Sequence, residues 1–252
     1  LRVCSGASAN LTDCAATPGG LRGNSALTAQ RGLQVSWGYV NLYNGTITGF
    51  TSTYGAGVSV EPRSSGSFGL YGNAAIQYNK STNTGDLKFG GYYPNSELEK
   101  VSDRDTAGGG GVANYGKFTM NSLRSDAIAY NSAARYGGGL FNWPYGTQYR
   151  WAKLLNGGIT GNTAGEMGGG VLTSHNPNDT ALTLGGSVSI TGNTLTDDTD
   201  DNLYLVTDTK NGSVAKICVS GLTENADIQV VEVEGREGKD YFSGVTYETL
   251  PP

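Results

Sequence analysis

A run of three or four glycines followed by an aliphatic residue recurs along the chain and restricts its fold more than any other feature. The copies span Gly108–Val112, Gly137–Leu140 and Gly168–Val171, with a weaker one at Gly55–Val58. Their aliphatic residues lie 54, 28 and 31 residues apart along the chain. Each glycine inside a helix costs roughly 1 kcal/mol relative to alanine. Helical repeats of similar length, such as ankyrin and tetratricopeptide units, are therefore excluded.

Each glycine run is followed by the same order of residues: a short strand-like element, an isoleucine, and an asparagine three residues later. One repeat cannot bury its inner face alone, so equivalent aliphatic residues are expected to stack in ladders along one axis. The asparagines suit a stacked turn, because asparagine tolerates left-handed backbone and its amides pair between layers. The predicted ladders are Val58, Val112, Leu140, Val171; Leu70, Met120, Leu154, Leu184; Ile47, Ile76, Ile128, Ile159, Ile190; and Asn79, Asn131, Asn162, Asn193.

A period near 30 residues with glycine corners predicts an all-β chain that folds as a right-handed parallel β-helix of 28–31 residues per coil. Leucine-rich repeats would need a denser leucine ladder, and a propeller blade needs about 40–50 residues. The 24 aromatic residues supply surface for a core, and only 15% of residues are charged, which argues against disorder. The stretch Asp86–Asp105, between the first two glycine runs, is either a degenerate coil or an insertion.

The repeat resembles a known class of proteins. The pattern Gly-Gly-Gly-Val … Phe-Thr-Met-Asn … Ile-Thr-Gly-Asn-Thr-Ala resembles the β-helix repeats of large bacterial surface and adhesin-like proteins. It is similar in outline to chlamydial polymorphic outer-membrane proteins, whose repeats carry Gly-Gly-Ala-aliphatic and Phe-X-X-Asn elements. Here glycine replaces the alanine, and isoleucine or tyrosine replaces most of the phenylalanines. The resemblance covers residues 32–206 and implies surface exposure with a role in adhesion or display.

Three segments are predicted from the extent of the repeats. Residues 1–31 form an N-terminal cap or linker, residues 32–201 the β-helix, and residues 202–252 an acidic C-terminal β cap. Residues 195–252 hold 12 acidic and 4 basic residues, within a chain whose net charge is −5. The basic residues do not cluster, which argues against a nucleic-acid partner. No apolar run approaches the roughly 18–20 residues that a membrane span needs.

Cysteines and sequons favour an oxidising, extracellular setting. Cys4 and Cys14 lie in a loop-like N-terminus, where a disulfide is expected. Cys218 lies in an alternating strand pattern that predicts a small buried residue. The five Asn-X-Ser/Thr sequons, several of which chance alone explains in such a chain, are candidate glycosylation sites at Asn10, Asn44, Asn79, Asn178 and Asn211.

The sequence offers little to a catalytic mechanism. Its one histidine, His175, lies in a predicted loop, so ordinary zinc sites and hydrolase triads lack their residues. Parallel β-helices also host polysaccharide lyases and glycosidases, which need two carboxylates facing one groove. The acids of the repeats do not recur at matched positions, and an enzyme would have to rely on Asp103, Asp105 or Glu166. We predict no catalytic residues and no enzyme.

Two further clusters are candidate sites. The acidic run Asp197, Asp198, Asp200 and Asp201 is dense in hard oxygen ligands and is a weak calcium candidate, the only cofactor considered. It lacks the glycine and distal glutamate of an EF-hand, so an exposed charged turn is the favoured interpretation. Aromatic residues crowd one coil at Tyr136, Phe141, Trp143, Tyr145, Tyr149 and Trp151. They form a glycan-binding patch, a contact with another chain, or internal packing.

These features together predict a non-enzymatic extracellular or cell-surface module. Its role would be adhesion, or the building of a surface structure such as a fibre or sheath. Its expected partners are other protein chains, including copies of itself joined end to end or side by side, and glycans. The alternatives are a glycan-binding module centred on Trp143 and Trp151, and a β-helix lyase or glycosidase.

Overall fold

The computed structural model describes residues 1–3, 8–11, 19–24, 30–61, 66–85, 108–144, 150–174, 181–208, 213–214, 217–231 and 242–243. Over these ranges the protein consists of strands and turns, without a helix. The strands are β1 (Arg2–Val3), β2 (Ser8–Leu11), β3 (Gly20–Arg22), β4 (Leu33–Val35), β5 (Tyr39–Leu42), β6 (Thr46–Thr48), β7 (Thr51–Ser52), β8 (Val58–Val60), β9 (Ser67–Gly72), β10 (Ala75–Gln77), β11 (Lys80–Ser81), β12 (Val112–Asn114), β13 (Lys117–Ser122), β14 (Ile128–Ala129), β15 (Ser132–Ala133), β16 (Leu140–Asn142), β17 (Trp151–Thr160), β18 (Thr163–Ala164), β19 (Val171–Thr173), β20 (Leu182–Ile190), β21 (Thr194–Leu195), β22 (Leu203–Leu205), β23 (Thr207–Asp208), β24 (Ser213–Val214), β25 (Ile217–Leu222), β26 (Asp227–Ile228) and β27 (Phe242–Ser243).

The strands assemble into three parallel sheets. Sheet A has the order β1-β4-β8-β12-β16-β19-β22, and sheet C has the order β21-β18-β15-β11-β7. Sheet B follows the path β2-β5-β9-β13-β17-β14-β10-β6-β3, and β20, β25, β26 and β27 extend it. The two halves of sheet B meet because β17 is long enough to pair with both β13 and β14. A separate antiparallel pair is formed by β23 and β24.

Successive repeats add equivalent strands to the same three sheets. Strands β8, β9, β10 and β11 pair in turn with β12, β13, β14 and β15 of the next repeat. This order of strands is compatible with the predicted parallel β-helix or another solenoid. Because β8 pairs directly with β12, the repeats on either side of the long gap between glycine runs are neighbours in sheet A. Residues 86–107, which include the stretch predicted as a degenerate coil or an insertion, lie outside the described residues.

The aliphatic ladders predicted from the sequence are confirmed by the strand register. Val58, Val112, Leu140 and Val171 occupy paired positions in sheet A, and the ladder extends at its ends to Leu33 and Leu203. The leucine–methionine and isoleucine ladders lie in the two halves of sheet B. All of these side chains are at most 1% exposed and belong to one hydrophobic cluster. Stacking of equivalent residues is thus what fills the core.

The predicted asparagine ladder is also confirmed, and its hydrogen bonds are repeated from layer to layer. The Oδ1 atom of Asn131 accepts hydrogen bonds from both the backbone N–H and the Nδ2 of Asn79, at 3.0 Å each. Asn162 receives the same pair from Asn131, and Asn193 receives it from Asn162. The ladder ends at Asn202, which receives the pair from Asn193. These five side chains are at most 2% exposed.

The sheets extend into the segments that the sequence assigned to the two caps. In residues 1–31, β1, β2 and β3 pair in parallel with β4, β5 and β6. Beyond residue 201, β22 joins sheet A, while β25 and β26 join sheet B. Cys218, on β25, is half-buried rather than fully buried. In the described part of the chain, no helix is long and apolar enough to cross a bilayer.

Candidate functional site

The asparagine ladder fixes a corner of the repeat whose preceding residue has left-handed backbone. The strand register makes five residues equivalent at this corner: Gly49, Tyr78, Tyr130, Gly161 and Gly192. Their φ angles are 75°, 55°, 56°, 63° and 65°. Glycine adopts this conformation without strain, whereas other L-residues lose roughly 1–2 kcal/mol in it. Two adjacent repeats therefore carry tyrosine where the fold alone favours glycine.

The two tyrosines are exposed and stacked on each other. Tyr78 is 60% exposed and Tyr130 is 48% exposed. Their ring centroids lie 5.1 Å apart with an interplanar angle of 16°. Strained backbone held in place by a buried hydrogen-bond network is characteristic of functional sites. We call Tyr78 and Tyr130 together the tyrosine stack.

The next repeat accommodates the stack because it has glycine at the same corner. A Cβ atom added to Gly161 would lie 2.8 Å from both Cδ1 and Cε1 of Tyr130, so this ring lies directly over the Gly161 backbone. On the opposite side of the stack the equivalent corner is Gly49. Among the described residues, only backbone atoms of Gly23 lie within 4 Å of a Cβ added there. The Tyr78 ring face turned away from Tyr130 is therefore not packed against the Gly49 corner.

Gln77, the residue before Tyr78, belongs to a polar network with Arg124 and Asp126. Gln77, next to Tyr78, donates from Nε2 to the Asp126 carboxylate at 3.0 Å and to the Asp126 backbone oxygen at 2.9 Å. Arg124 donates to the same carboxylate from Nε and Nη2, at 2.8 Å each. Hydrogen bonds from Arg124 are the main cause that lowers the pKa of Asp126 below its ordinary value. Asp126 is therefore a carboxylate at neutral pH.

The aromatic residues predicted as a contact face do not form one surface. Tyr136 and Phe141 are 3% and 2% exposed and belong to a second buried cluster with Tyr115 and Leu172. The expectation that these two side chains contact a ligand or partner is wrong, and the internal-packing alternative holds for them. Phe141 lies on the opposite face of β16 from the core residue Leu140, and this face is covered by the other residues of the second cluster.

The tryptophans of that predicted face lie in different surroundings. Trp143 is half-buried and stacks on Phe141, with ring centroids 5.4 Å apart. Trp151 opens β17 in sheet B, also half-buried, and the Nζ of Lys153 lies 4.6 Å from the centroid of its ring. Tyr145 and Tyr149 lie outside the described residues. The hypothesis of a glycan site centred on Trp143 and Trp151 thus gains no support from the geometry.

The acidic run has two distinct parts. Asp197, Asp198 and Asp200 are exposed, and Asp197 accepts a hydrogen bond from the Thr199 N–H in a local turn. Asp201 instead is 3% exposed, so the expected charged turn does not include it. In the described part of the chain, which contains all four residues, no group of three or more acidic, histidine or cysteine side chains is arranged to hold a metal ion. The calcium hypothesis has no assembled site.

Burial makes Asp201 sensitive to pH. Its Oδ2 accepts a hydrogen bond from the Gly168 N–H at 2.9 Å, whereas no donor among the described residues reaches Oδ1. Desolvation by burial raises the pKa of Asp201 from 3.8 to about 6, against the smaller lowering effect of the Gly168 hydrogen bond. Between pH ~4 and pH ~6, Asp201 is therefore protonated in the folded protein and ionised in the unfolded chain.

We expect stability to fall as pH rises across this window. A folded-state pKa raised from 3.8 to about 6 corresponds to roughly 3 kcal/mol of folding free energy. This stabilisation is fully present below pH ~4 and is lost above pH ~6. Asp201→Asn is expected to flatten this dependence and to raise the free energy of unfolding at pH 7. Urea denaturation between pH 3.5 and 7.5 measures both effects. Asp197→Asn, at an exposed acid, is the control, and an unchanged pH profile in Asp201→Asn would contradict the assignment.

The remaining predicted sites have mixed outcomes. Asn79, a candidate glycosylation site, is 1% exposed, and its Nδ2 donates to Ile47 O, Gln77 O and Asn131, so its amide is not accessible in the folded chain. Asn44 is half-buried, with Oδ1 accepting from the Gly45 N–H. The side chain of Asn10, and all of Asn178, Asn211, Cys4 and Cys14, lie outside what the structure describes.

The acids considered for catalysis are not brought together. Glu166 forms a salt bridge with Arg135, whose Nη2 donates to Oε2 at 2.9 Å. Asp103, Asp105 and His175 lie outside the described residues. No protein-family model, curated protein or solved structure matches the chain.

The tyrosine stack was missed by sequence reasoning, although a signal for it was present. Each tyrosine directly precedes a ladder asparagine, at the position where Gly161 and Gly192 precede theirs. A bulky residue at a position that other repeats reserve for glycine is the signal. It became recognisable once the ladder established which residues are equivalent.

Proposed function

We propose that this chain is a right-handed parallel β-helix that acts as a non-enzymatic extracellular or cell-surface module for adhesion. The observation that carries the proposal is a set of large aromatic side chains exposed on a frame of hydrogen-bonded parallel strands. Trp37, Tyr39, Tyr43, Tyr78 and Tyr130 are 42% to 60% exposed. Aromatic residues are enriched where proteins bind partners, because they bury large areas with few rotatable bonds. A stack of repeats holds such residues at fixed spacings.

Tyr39 and Tyr43 add weight to this proposal because they lie at the two ends of one strand of sheet B. Tyr39 is the first residue of β5 and Tyr43 directly follows its last residue, and the two are 56% and 42% exposed. Tyr43 also stacks on Tyr71 of the next repeat, with ring centroids 5.3 Å apart. The outer face of sheet B is therefore a second aromatic surface across neighbouring layers.

Adhesion is tested with beads coated with the purified chain. The beads are passed over mammalian epithelial cells, yeast cells and plant cell walls, and retention is counted under flow. We expect retention on at least one surface to fall about fivefold or more when the five exposed aromatic residues are changed to serine, since each anchor is worth about 1 kcal/mol or more. Circular dichroism confirms that the variant is folded. Equal retention of both bead types, or turnover of a polysaccharide by the wild-type chain, would argue against the proposal.

A surface fibre or sheath is the second candidate, and the strand edges favour it. Among the described residues, β1 in sheet A and β2 and β3 in sheet B each pair on one side alone. Unpaired strand edges are templates for pairing with another chain. Negative-stain electron microscopy across a range of concentrations tests this candidate. Regular fibres with an axial repeat would support end-to-end assembly, whereas isolated short rods at every concentration would oppose it.

A further inference from the structure

We propose that the tyrosine stack is a glycan-binding site, in which a pyranose ring packs on the open face of Tyr78 above the Gly49 corner. This inference deepens the proposed adhesive function and rests on it. The sugar would occupy the place that a third aromatic ring would take in the stack. Its C–H face meets the Tyr78 ring, while its hydroxyl groups meet the polar side chains around the corner.

The first step is that the tyrosines are not there for stability. Three equivalent corners carry glycine, and Tyr78 and Tyr130 adopt the same left-handed backbone with φ near 55°. Bulky residues rarely adopt it, because Cβ crowds the backbone. Both rings also leave about half or more of the residue in water, so burial does not compensate. A strained and exposed pair, repeated in adjacent layers, is explained by a contact outside the chain.

The second step is the shape of the free surface. The Tyr130 ring packs on the Gly161 backbone, and the Tyr78 ring packs on Tyr130. The stack is therefore supported on one side. On the other side, Gly49 has no side chain to fill the next layer. Neighbouring parallel strands lie about 4.8 Å apart, and the tyrosine centroids follow this step at 5.1 Å. The C–H face of a pyranose chair can pack on Tyr78 at the next step of the same stack.

The third step concerns the groups around the ring, which favour a sugar over a protein partner. Protein interfaces place an aromatic anchor within a larger apolar core. Here the strand residues flanking the corner are polar: Thr48 and Gln77 in sheet B, and Thr51 and Lys80 in sheet C. Hydroxyl, amide and ammonium groups on the strands that flank this corner suit a sugar ring, since its hydroxyls require hydrogen bonds and its C–H face requires an aromatic ring.

The test compares variants that the repeat itself shows to be tolerated. Tyr78→Gly gives this corner the residue that Gly49, Gly161 and Gly192 already carry, so the variant is expected to fold. Tyr78→Phe keeps the ring and removes only the hydroxyl. Leu123→Ala is the control, because Leu123 is also a large exposed apolar residue, at 80%, and lies outside the set of exposed aromatic anchors.

Wild type is screened on a printed array of pyranose oligosaccharides from plants, fungi, bacteria and animals, and the best binder is titrated by calorimetry. We expect binding to at least one glycan class. Tyr78→Gly is expected to weaken it about tenfold or more, which corresponds to about 1.4 kcal/mol. Tyr78→Phe and Leu123→Ala should stay within about threefold of wild type.

Three results overturn the inference: no glycan bound by wild type, equal binding by wild type and Tyr78→Gly, or binding lost only in Leu123→Ala. The bead assay separates this failure from failure of the proposed function. Bead retention that Tyr78→Gly abolishes but that survives periodate oxidation of the target surface would identify a protein partner and retain adhesion. Glycan binding that depends on Tyr78 without any bead retention would keep the site and remove the adhesive role.

Discussion

Asn162→Ala is expected to lower the free energy of unfolding by about 4 kcal/mol, because buried donors that lose their acceptor cost about 1–3 kcal/mol each. The Oδ1 atom of Asn162 accepts from the backbone N–H and the Nδ2 of Asn131. Its own Nδ2 donates to Ile128 O, Thr160 O and Asn193. Alanine would remove all of these bonds at once in a site with no exposed surface.

Urea denaturation followed by circular dichroism measures this loss, and Asn121→Ala is its control. Asn121 also takes part in an asparagine–asparagine bond, accepting from Asn156 Nδ2 at 2.8 Å, but at the surface. Water replaces that bond, so we expect a change of about 0.5 kcal/mol or less. Similar losses in the two variants would mean that the buried ladder contributes no more than surface hydrogen bonds do.

Asn162→Asp tests the hydrogen-bond donor of the amide, Nδ2, separately from its acceptor, Oδ1. Aspartate keeps an acceptor for Asn131 but removes the donors to Ile128 O and Asn193, and it buries a charge. We expect a loss at neutral pH as large as that of alanine, partly recovered under acidic conditions where the carboxyl gains a proton. A variant as stable as wild type at pH 7 would show that the donor half is dispensable.

The ladders were predictable from sequence because each depends on one residue type recurring at one spacing. A stack of identical layers converts the period of the sequence directly into neighbours in space. For that reason Ile128, Ile159 and Ile190 could be assigned to one ladder before their pairing was known. The number of layers was harder, since the 54 residues from Val58 to Val112 match two periods, yet their strands pair directly.

The surface sites were less predictable because exposure depends on groups outside the repeat. Alternation along β16 places Phe141 on the outer face, but it does not show that this face is covered. Asn79 satisfied both a sequon and a ladder position, and the buried ladder prevails since it bonds every polar atom of the amide. Backbone conformation at Tyr78 and Tyr130 became evident only from equivalence with the glycine corners.

Gly138, the second glycine of its run, has a different physical role from the corner glycines and from the left-handed Gly137 before it, and this distinction predicts the second large effect. Gly138 is not in left-handed backbone, but a Cβ added to it would lie 2.4 Å from the Gly169 oxygen and 2.5 Å from the Thr163 oxygen. Both atoms belong to the backbone of the next repeat and cannot rotate away. Glycine at this position is therefore required for the close approach of neighbouring layers.

Gly138→Ala is expected to destabilise the protein by about 3 kcal/mol or more, through overpacking and the lengthening of interlayer hydrogen bonds. The bonds most affected join Gly138 N to Gly168 O at 2.9 Å and Gly139 N to Gly169 O at 3.1 Å. Urea denaturation gives the loss, and hydrogen exchange shows whether these amides open.

Gly221→Ala is the control that isolates backbone conformation. Gly221 has φ of 64°, and an added Cβ there meets no atom of the described residues within 4 Å. Only left-handed strain acts, so we expect a loss of about 1 kcal/mol. If Gly138→Ala costs no more than Gly221→Ala, the layers can separate to admit a methyl group, and another explanation of the glycine runs is required. A clear excess in Gly138→Ala would establish that interlayer distance, rather than turn conformation, fixes glycine at this position in each repeat.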